Sequence, residues 1–287
     1  MKTIGIIGFG TVGRAIQHGF QQVTDFRIHD NNPLISENTL DEVVNDSDYI
    51  FICVPTPTSV ETGKCDISIL DSVLNNIRKI GNYSHIIERK FYEKIYIIKS
   101  TITPNTTIDL QNKYSMRLVF NPEFLTERSY KLDFINTSRI ILGGHQKDTS
   151  KVKELYEERF PKGSVPIYET DSTTAETVKC LANCFLAIKV LLCNEFYDIC
   201  KELCLDYNEV INLVLADGRI GRSHTDVPGH DGKRGVGGLC FPKDLCATIK
   251  KAEELGINPM IMKAAWKKNL EVRKEKDWEK IKGAVSN

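Results

Sequence analysis

Ile4-Gly5-Ile6-Ile7-Gly8-Phe9-Gly10-Thr11-Val12-Gly13 opens the chain with a short β-branched run that breaks into Gly-x-Gly-x-x-Gly and continues into a helical pattern. A strand that turns through glycines into a helix is the context in which this pattern binds a dinucleotide. Gly8 makes the tight turn, Gly10 lets the backbone approach a pyrophosphate, and Gly13 lets helix and strand pack closely. Thr11, Val12 and Gly13 form the first helical turn, whose unpaired N–H groups and dipole favour an anion. A second strand ends at Asp30, 17 residues past Gly13, where a carboxylate accepts hydrogen bonds from a ribose diol and repels a 2′-phosphate. Asn31 and Asn32 offer no cation to rescue that phosphate, so the expected cofactor is NAD rather than NADP.

Outward from this stretch, short apolar runs at 26–29, 49–54, 95–99, 118–120 and 140–142 read as buried strands. Candidate helices lie between them at 11–22, 39–46, 66–80 and 105–113, and 81–94 reads as an irregular surface excursion. This alternation predicts an α/β fold with a Rossmann-like, doubly wound parallel sheet over 1–170. From Ser172 to Cys204 runs one long helical segment, apolar nearly all the way round, with Ser172 or Thr173 as N-cap. It predicts a helical second domain over 171–287, built on that helix and paired through it with a second copy. Further helices are expected at 207–217, 242–255 and 259–279. The segment 218–240 is a long Gly- and Asp-rich loop of the kind that is commonly functional, and the final six residues show no strand pattern.

The 287 residues, 41% hydrophobic and 26% charged, suit two folded domains. With 38 basic and 38 acidic side chains, no net field draws the protein to nucleic acid or an anionic membrane. The N-terminal run is too short for a signal segment, and no apolar stretch is long enough to span a bilayer. A cytoplasmic protein with reduced thiols is expected, its nine cysteines lying mostly in apolar helical runs as small core residues.

Cys240 is the exception. In Gly237-Gly238-Leu239-Cys240-Phe241-Pro242-Lys243-Asp244, Pro242 favours the first turn of a helix. Cys240 then stands at its N-terminus, where dipole and N–H groups favour a thiolate. Asp244, one turn on, is placed to orient water or act as a base. Two further polar sets stand out. Glu123 and Glu127, in Asn121-Pro122-Glu123-Phe124-Leu125-Thr126-Glu127, follow a strand at the carboxyl edge of the sheet. Lys179 and Asn183 lie four apart on the long apolar helix and point one way; pairing of Lys179 with Glu123 would serve both folding and function.

Together these segments resemble the UDP-glucose/GDP-mannose 6-dehydrogenase family. The resemblance runs through Gly8 to Gly13, Val54-Pro55-Thr56-Pro57, Ser100-Thr101-Ile102-Thr103-Pro104, Asn121 to Leu125, Thr174-Ala175-Glu176 with Lys179 and Asn183, Asn194-Glu195, Arg219-Ile220-Gly221, and Gly237 to Asp244. It implies a four-electron oxidation of the C6 alcohol of a nucleotide sugar, UDP-glucose first among them, using two NAD in turn. Cys240 would capture the aldehyde and carry a thioester, which water assisted by Glu123 or Glu127, Thr101 and Asp244 hydrolyses. Lys179 and Asn183 would stabilise the oxyanion. Val54, Pro55, Thr56 and Thr101 would line the NAD pocket, and Phe124, Leu125, Lys179, Asn183, Gly237 and Arg219 the substrate, with Arg222 and Arg234 as alternatives to Arg219. Asn105 and Arg128 stand where many relatives have Gly. The resemblance is to a short form, without the family's C-terminal nucleotide-binding domain. Two other readings compete: a two-electron β-hydroxyacid-type dehydrogenase, which needs no Cys240, and a non-catalytic NAD-binding protein.

Overall fold

The computed structural model describes residues 2–59, 62–82, 93–281 and 283–286. In chain order its strands are β1 (Lys2–Ile7), β2 (Thr24–His29), β3 (Tyr49–Ile52), β4 (Thr58–Ser59), β5 (Ile95–Ile98), β6 (Leu118–Phe120), β7 (Ile140–Gly143), β8 (Ile167–Thr170) and β9 (Val285–Ser286). The helices are α1 (Thr11–Phe20), α2 (Leu40–Asp46), α3 (Ser68–Asn82), α4 (Thr106–Tyr114), α5 (Tyr130–Ile135), α6 (Gln146–Arg159), α7 (Ser172–Glu202), α8 (Tyr207–Val214), α9 (Phe241–Glu254) and α10 (Met260–Val272), with a 3-10 turn at Asp277–Glu279. The chain divides into two compact units, Met1–Thr56 with Ile67–Lys179 and Pro57–Asp66 with Cys180–Asn287.

The first unit is a seven-stranded sheet in the order β2-β1-β3-β5-β6-β7-β8. Its first five strands are parallel; β7 runs antiparallel to β6, and β8 parallel to β7. Alternate residues of each strand feed opposite faces, so two cores form. Ile50, Ile52, Tyr96, Ile98, Leu118 and Phe120 pack with Val43, Leu74, Ile77 and Leu110 from α2, α3 and α4. Phe51, Ile95, Ile97 and Val119 pack with Ile16, Phe20, Phe134, Val152 and Tyr156 from α1, α5 and α6. Each such side chain contributes about 1.5–3 kcal/mol by leaving water, which is why these strands read as unbroken apolar runs. The order reverses at β1: the chain moves to β2 on one side of it and returns to β3 on the other. That reversal opens a crevice at the carboxyl ends of β1 and β3.

The second unit packs α7 against α8 through Cys193, Cys200, Tyr207 and Ile211. It packs α7 against α9 and α10 through Cys184, Ala187, Leu245, Met262 and Trp266. A two-residue parallel ladder joins β4 to β9, pairing Thr58 with Val285 and Ser59 with Ser286.

Several expectations are corrected. Helices α5 and α6 and strands β4, β8 and β9 were not expected, the last falling in the tail that shows no strand pattern. The final helix stops at Val272 rather than reaching 279, because Arg273 takes an extended backbone and its buried guanidinium pairs with Asp231 and Asp277. Not every other cysteine is a core residue: Cys204 is exposed just past the end of α7 with φ 55°. The expected excursion at 81–94 falls largely on 83–92, outside the described residues. Helix α7 leaves Leu181, Phe185, Leu192, Phe196 and Ile199 about half exposed or more, with Leu203 exposed just past its end. No helix among the described residues is long and apolar enough to cross a membrane.

Candidate active site

Each unit assembles one group of chemically capable residues. In the first unit, Gly8 sits at φ +92°, and a side chain there would strike the Cys53 carbonyl at 2.8 Å. A Cβ on Gly13 would lie 2.3 Å from the Gly8 carbonyl, whereas one on Gly10 would meet nothing within 4 Å. Gly8 and Gly13 are therefore glycines because the fold is tight, whereas beside Gly10 the chain itself leaves open space. Gly10 is the N-cap of α1 and supplies no side chain to its first amides, which leaves the first turn at Thr11, Val12 and Gly13 open to an anion. Asp30, just past β2, accepts from Phe9 N at 2.7 Å and Asn32 N at 2.8 Å. Its carboxylate is thus held beside the glycine turn with lone pairs remaining for a diol. These residues fit a dinucleotide.

The neighbouring loops are tied together. Thr56 donates to the Thr101 carbonyl at 2.6 Å and Ser100 to the Val54 carbonyl at 2.6 Å, joining the segments after β3 and β5; Pro55 between them is exposed. Asn105, at φ 78°, takes the left-handed conformation that glycine adopts most readily. The α4 N-terminus is capped from α7. Glu176, fully buried, accepts from Asn105 N and Thr107 N at 2.7 Å each and from Thr107 Oγ1 at 2.6 Å.

Past β6 the chain builds a buried polar knot. Lys179 Nζ lies 3.0 Å from Glu123 Oε1 and donates to the Glu123 carbonyl at 2.6 Å, the pairing anticipated from sequence. Glu123 Oε2 accepts from Leu125 N at 2.6 Å. Two cations approach the Phe124 ring, Arg139 at 4.1 Å and Lys179 at 5.3 Å from its centre, while Leu125 packs into the α1-side core. Glu127 stands on an exposed turn.

Sequence reasoning missed Lys99 beneath this knot. Its buried ammonium donates to Asn121 Oδ1 at 3.0 Å and the Pro122 carbonyl at 3.3 Å. Asn121 also accepts from Tyr156 Oη at 2.6 Å and donates to the Ile141 carbonyl at 2.8 Å. Burial pulls Lys99 down to about 8, partly offset by Cys53 and Glu123.

In the second unit Cys240, half-buried, is the N-cap of α9, with Pro242 in the first turn. Asp244 N closes that turn on the Cys240 carbonyl at 2.9 Å. The Asp244 carboxylate is 3% exposed and engaged at both oxygens. Lys243 Nζ lies 2.6 Å from Oδ1, and Asn183 Nδ2 donates to Oδ2 at 2.5 Å. Lys243 is a second residue not singled out from sequence. Burial alone would lower it, but Asp244 and the sulfurs of Cys65 and Cys240 outweigh burial and hold it above the ordinary lysine range. By contrast, burial pushes the Cys180 thiol up to about 12 and Cys184 to about 11, which suits packing and not reaction.

The glycine loop before Cys240 is gripped by α10 and the residues after it. Asn269 bonds both Val236 N, at 2.8 Å, and Val236 O, at 3.1 Å. A Cβ on Gly237 would strike the Arg273 guanidinium at 2.2 Å, and Gly238 N donates to Asp277 at 3.0 Å. The segment 218–240 contains no helix or strand. Of its three arginines, Arg219 is exposed and bonded to Asp217 at 2.9 Å, and Arg222 is bonded to Asn212 at 2.6 Å. Arg234 is tied to α7 through Asn194 at 3.0 Å and Asp198 at 2.7 Å. Among the described residues, no cluster of three or more His, Cys, Asp or Glu is arranged to hold a metal.

A doubly wound sheet carrying this glycine loop, followed by a helical unit, defines a two-domain dinucleotide-binding protein of the dehydrogenase type. Residues 15–160 match the family model of the UDP-glucose/GDP-mannose dehydrogenase NAD binding domain, and residues 173–271 that of the same family's central domain. The chain belongs to the UDP-glucose/GDP-mannose dehydrogenase family. It is 30% identical over 241 residues to a UDP-glucose 6-dehydrogenase of Haloferax volcanii, covering 78% of this chain and 52% of that protein. It is 28% identical to a UDP-glucose 6-dehydrogenase of Bacillus subtilis, covering 89% and 60%. The chain thus spans little more than half the length of these curated relatives. A UDP-glucose dehydrogenase structure from Pyrobaculum islandicum superimposes with TM-score 0.80 at 25% identity, covering 94% of this chain and 68% of that one. A 3-hydroxyisobutyrate dehydrogenase from Mycobacterium tuberculosis shares the fold at TM-score 0.72 and 14% identity, covering 93% of this chain and 92% of that one.

Proposed function

We propose that the protein oxidises the C6 alcohol of a nucleotide sugar, UDP-glucose first, to the uronate, with residues 1–170 as the NAD-binding domain and 171–287 as the domain bearing the nucleophile. The observation that carries this reading is Cys240 at the N-cap of α9 with Lys243, Asp244 and Asn183 locked in one buried network. Gly8, Gly10, Thr11, Val12, Gly13 and Asp30 would hold NAD, with Val54, Pro55, Thr56 and Thr101 along its pocket. Bound NAD supplies the hydride acceptor for each of the two oxidations.

After the first oxidation the Cys240 sulfur adds to the aldehyde carbon and the oxygen takes a proton, giving a thiohemiacetal. Loss of the second hydride leaves a thioester on Cys240. Water then adds to the thioester carbon, the C–S bond breaks, and the acid departs while the sulfur is regenerated. The positive charge of Lys179 and the Asn183 amide, one turn apart on α7, suit the stabilisation of an oxyanion. Lys179 is held for that task by Glu123. Asp244, fixed through Lys243 and Asn183, retains carboxylate lone pairs to align the water, with Glu127 as a solvent-exposed alternative base.

The test is stoichiometry. Purified protein incubated with NAD and a panel of sugar nucleotides should release two NADH per sugar acid formed. One NADH per turnover with an aldehyde or ketone product would instead indicate a two-electron dehydrogenase, and no NADH with any substrate a binding protein.

The same reading includes a homodimer through α7. Its half-exposed apolar residues at 181, 185, 192, 196 and 199, with Leu203 just past its end, recur at spacings of three, four and seven, a stripe that a second copy can cover. Sedimentation should show a dimer at micromolar concentration, and Phe185→Glu with Phe196→Glu should return it to monomer.

A further inference from the structure

Cys65 belongs to a short hairpin that returns against β4. Ser59 N donates to the Lys64 carbonyl at 2.8 Å, Gly63 N to the Ser59 carbonyl at 2.9 Å, and Thr58 faces Cys65 across an antiparallel bridge. Directly opposed residues on such a ladder project their side chains to the same face. Thr58 uses that face to donate its hydroxyl to the Lys243 carbonyl at 3.1 Å. The hairpin is fastened to the same helix at a second point, where Lys64 pairs with Glu254 at 2.7 Å. Cys65 is therefore directed toward the first turn of α9, the turn that Cys240 caps. The buried Lys243 ammonium lies within electrostatic reach of both sulfurs, and both cysteines are half-buried. Each is also two residues from a glycine at positive φ, Gly63 on one side and Gly238 on the other, where an added Cβ would meet nothing closer than 3.9 Å.

We propose that Cys65 is the resolving thiol of an oxidative switch that closes a Cys65–Cys240 disulfide. A hydroperoxide is the oxidant. The Cys240 sulfur attacks its terminal oxygen, the O–O bond breaks, and an alcohol or water leaves with a proton, giving a sulfenic acid on Cys240. The Cys65 sulfur then attacks the Cys240 sulfur, the S–O bond breaks, water carries off the oxygen, and the S–S bond forms. Two thiols lose two electrons and two protons, and the hydroperoxide is reduced by two electrons. Reduction by a dithiol reverses the change. The bond would hide the sulfur that carries the acyl group and also spare it from irreversible oxidation to the sulfinic acid.

The consequence for activity rests on Cys240 being the nucleophile, but formation of the bond does not. The protein is treated with hydrogen peroxide, its remaining thiols are alkylated, and its peptides are mapped by mass spectrometry before and after dithiothreitol. Alongside, NADH formation is expressed relative to each variant's own untreated rate. The expected result is one linked peptide pair containing Cys65 and Cys240, with loss of activity that dithiothreitol restores. In Cys65→Ser the loss should become irreversible, with sulfinic acid at Cys240. Cys240 oxidised without a link to Cys65 would overturn the proposal, whether or not Cys240→Ser is inactive. A fully linked protein with undiminished activity would overturn the nucleophile reading and leave the disulfide standing.

Discussion

The cofactor-binding region and the region around Cys240 are built from different material. Between Gly8 and Asp30 the working groups are backbone amides exposed by glycines and a helix N-terminus, plus one carboxylate held by two N–H groups. Around Cys240 they are buried charges held by other side chains: Lys243 by Asp244, Asp244 by Asn183, and the preceding glycine loop by Asn269 and Arg273. Backbone presents a fixed dipole that changes little with the state of its neighbours. A side-chain network can concentrate charge on one atom, but each member depends on the rest. On the proposed mechanism the first arrangement would serve a ligand that binds and leaves twice per cycle, and the second a step in which one sulfur forms and breaks a bond.

That contrast is broken most directly at Cys240. Cys240→Ser should reduce acid formation by about 1,000-fold or more, as loss of a covalent nucleophile does elsewhere, while NAD affinity measured by titration stays within about twofold of wild type. An equal loss in both would mean that the sulfur region also shapes the cofactor pocket. Acid formation at the wild-type rate would reject the covalent mechanism.

A middle-sized effect separates the glycines from one another. Gly10→Val adds a side chain into open space, so unfolding free energy should change by no more than about 0.5 kcal/mol. NAD binding should nevertheless weaken by tenfold or more, about 1.4 kcal/mol, because the pyrophosphate loses its approach. Gly13→Val drives a Cβ to 2.3 Å from the Gly8 carbonyl and should cost about 1–3 kcal/mol of stability. Denaturant unfolding paired with calorimetric NAD titration distinguishes them. Equal stability losses would mean that Gly10, too, is a packing residue.

The same contrast explains what could be read before the fold was known. Gly8, Gly10, Gly13 and Asp30 obey a local spacing rule, and strands β1, β3, β5 and β6 are apolar because both faces are covered. Lys179 and Glu123 were legible as a pair because a charged residue inside an apolar helix needs a partner. Lys99, Asn269 and Thr58 were not, since each matters only through residues far along the chain, nor was Arg273, whose partner Asp231 lies 42 residues back. Helix α6 escaped for a related reason. Its buried positions, Asp148, Thr149, Val152, Leu155 and Tyr156, have helical spacing, but Asp148 is buried through its pair with Arg117, so the apolar signal is thin. The short segments β4 and β9 stabilise one another across more than two hundred residues, and neither is long enough to announce itself.

The smallest effect sharpens the comparison by asking whether the first unit contains a buried charge with a measurable cost. Lys99 sits near pKa 8 against an ordinary 10.5, so between these values the unfolded chain binds the proton that the folded chain has released. Stability therefore rises with pH across that window. The contribution is fully present above about 10.5 and lost as pH falls through about 8, with a ceiling of about 3 kcal/mol. Lys99→Met removes the titrating group and leaves Asn121 bonded to Tyr156 and Ile141. Urea unfolding at intervals from pH 7 to 10.5 should show the wild type gaining on the variant as pH rises, whatever background titrations both share. Parallel curves would mean that Lys99 keeps its proton in the fold at an ordinary pKa, and that the Asn121 knot is an ion-stabilised structure like the one at Lys243.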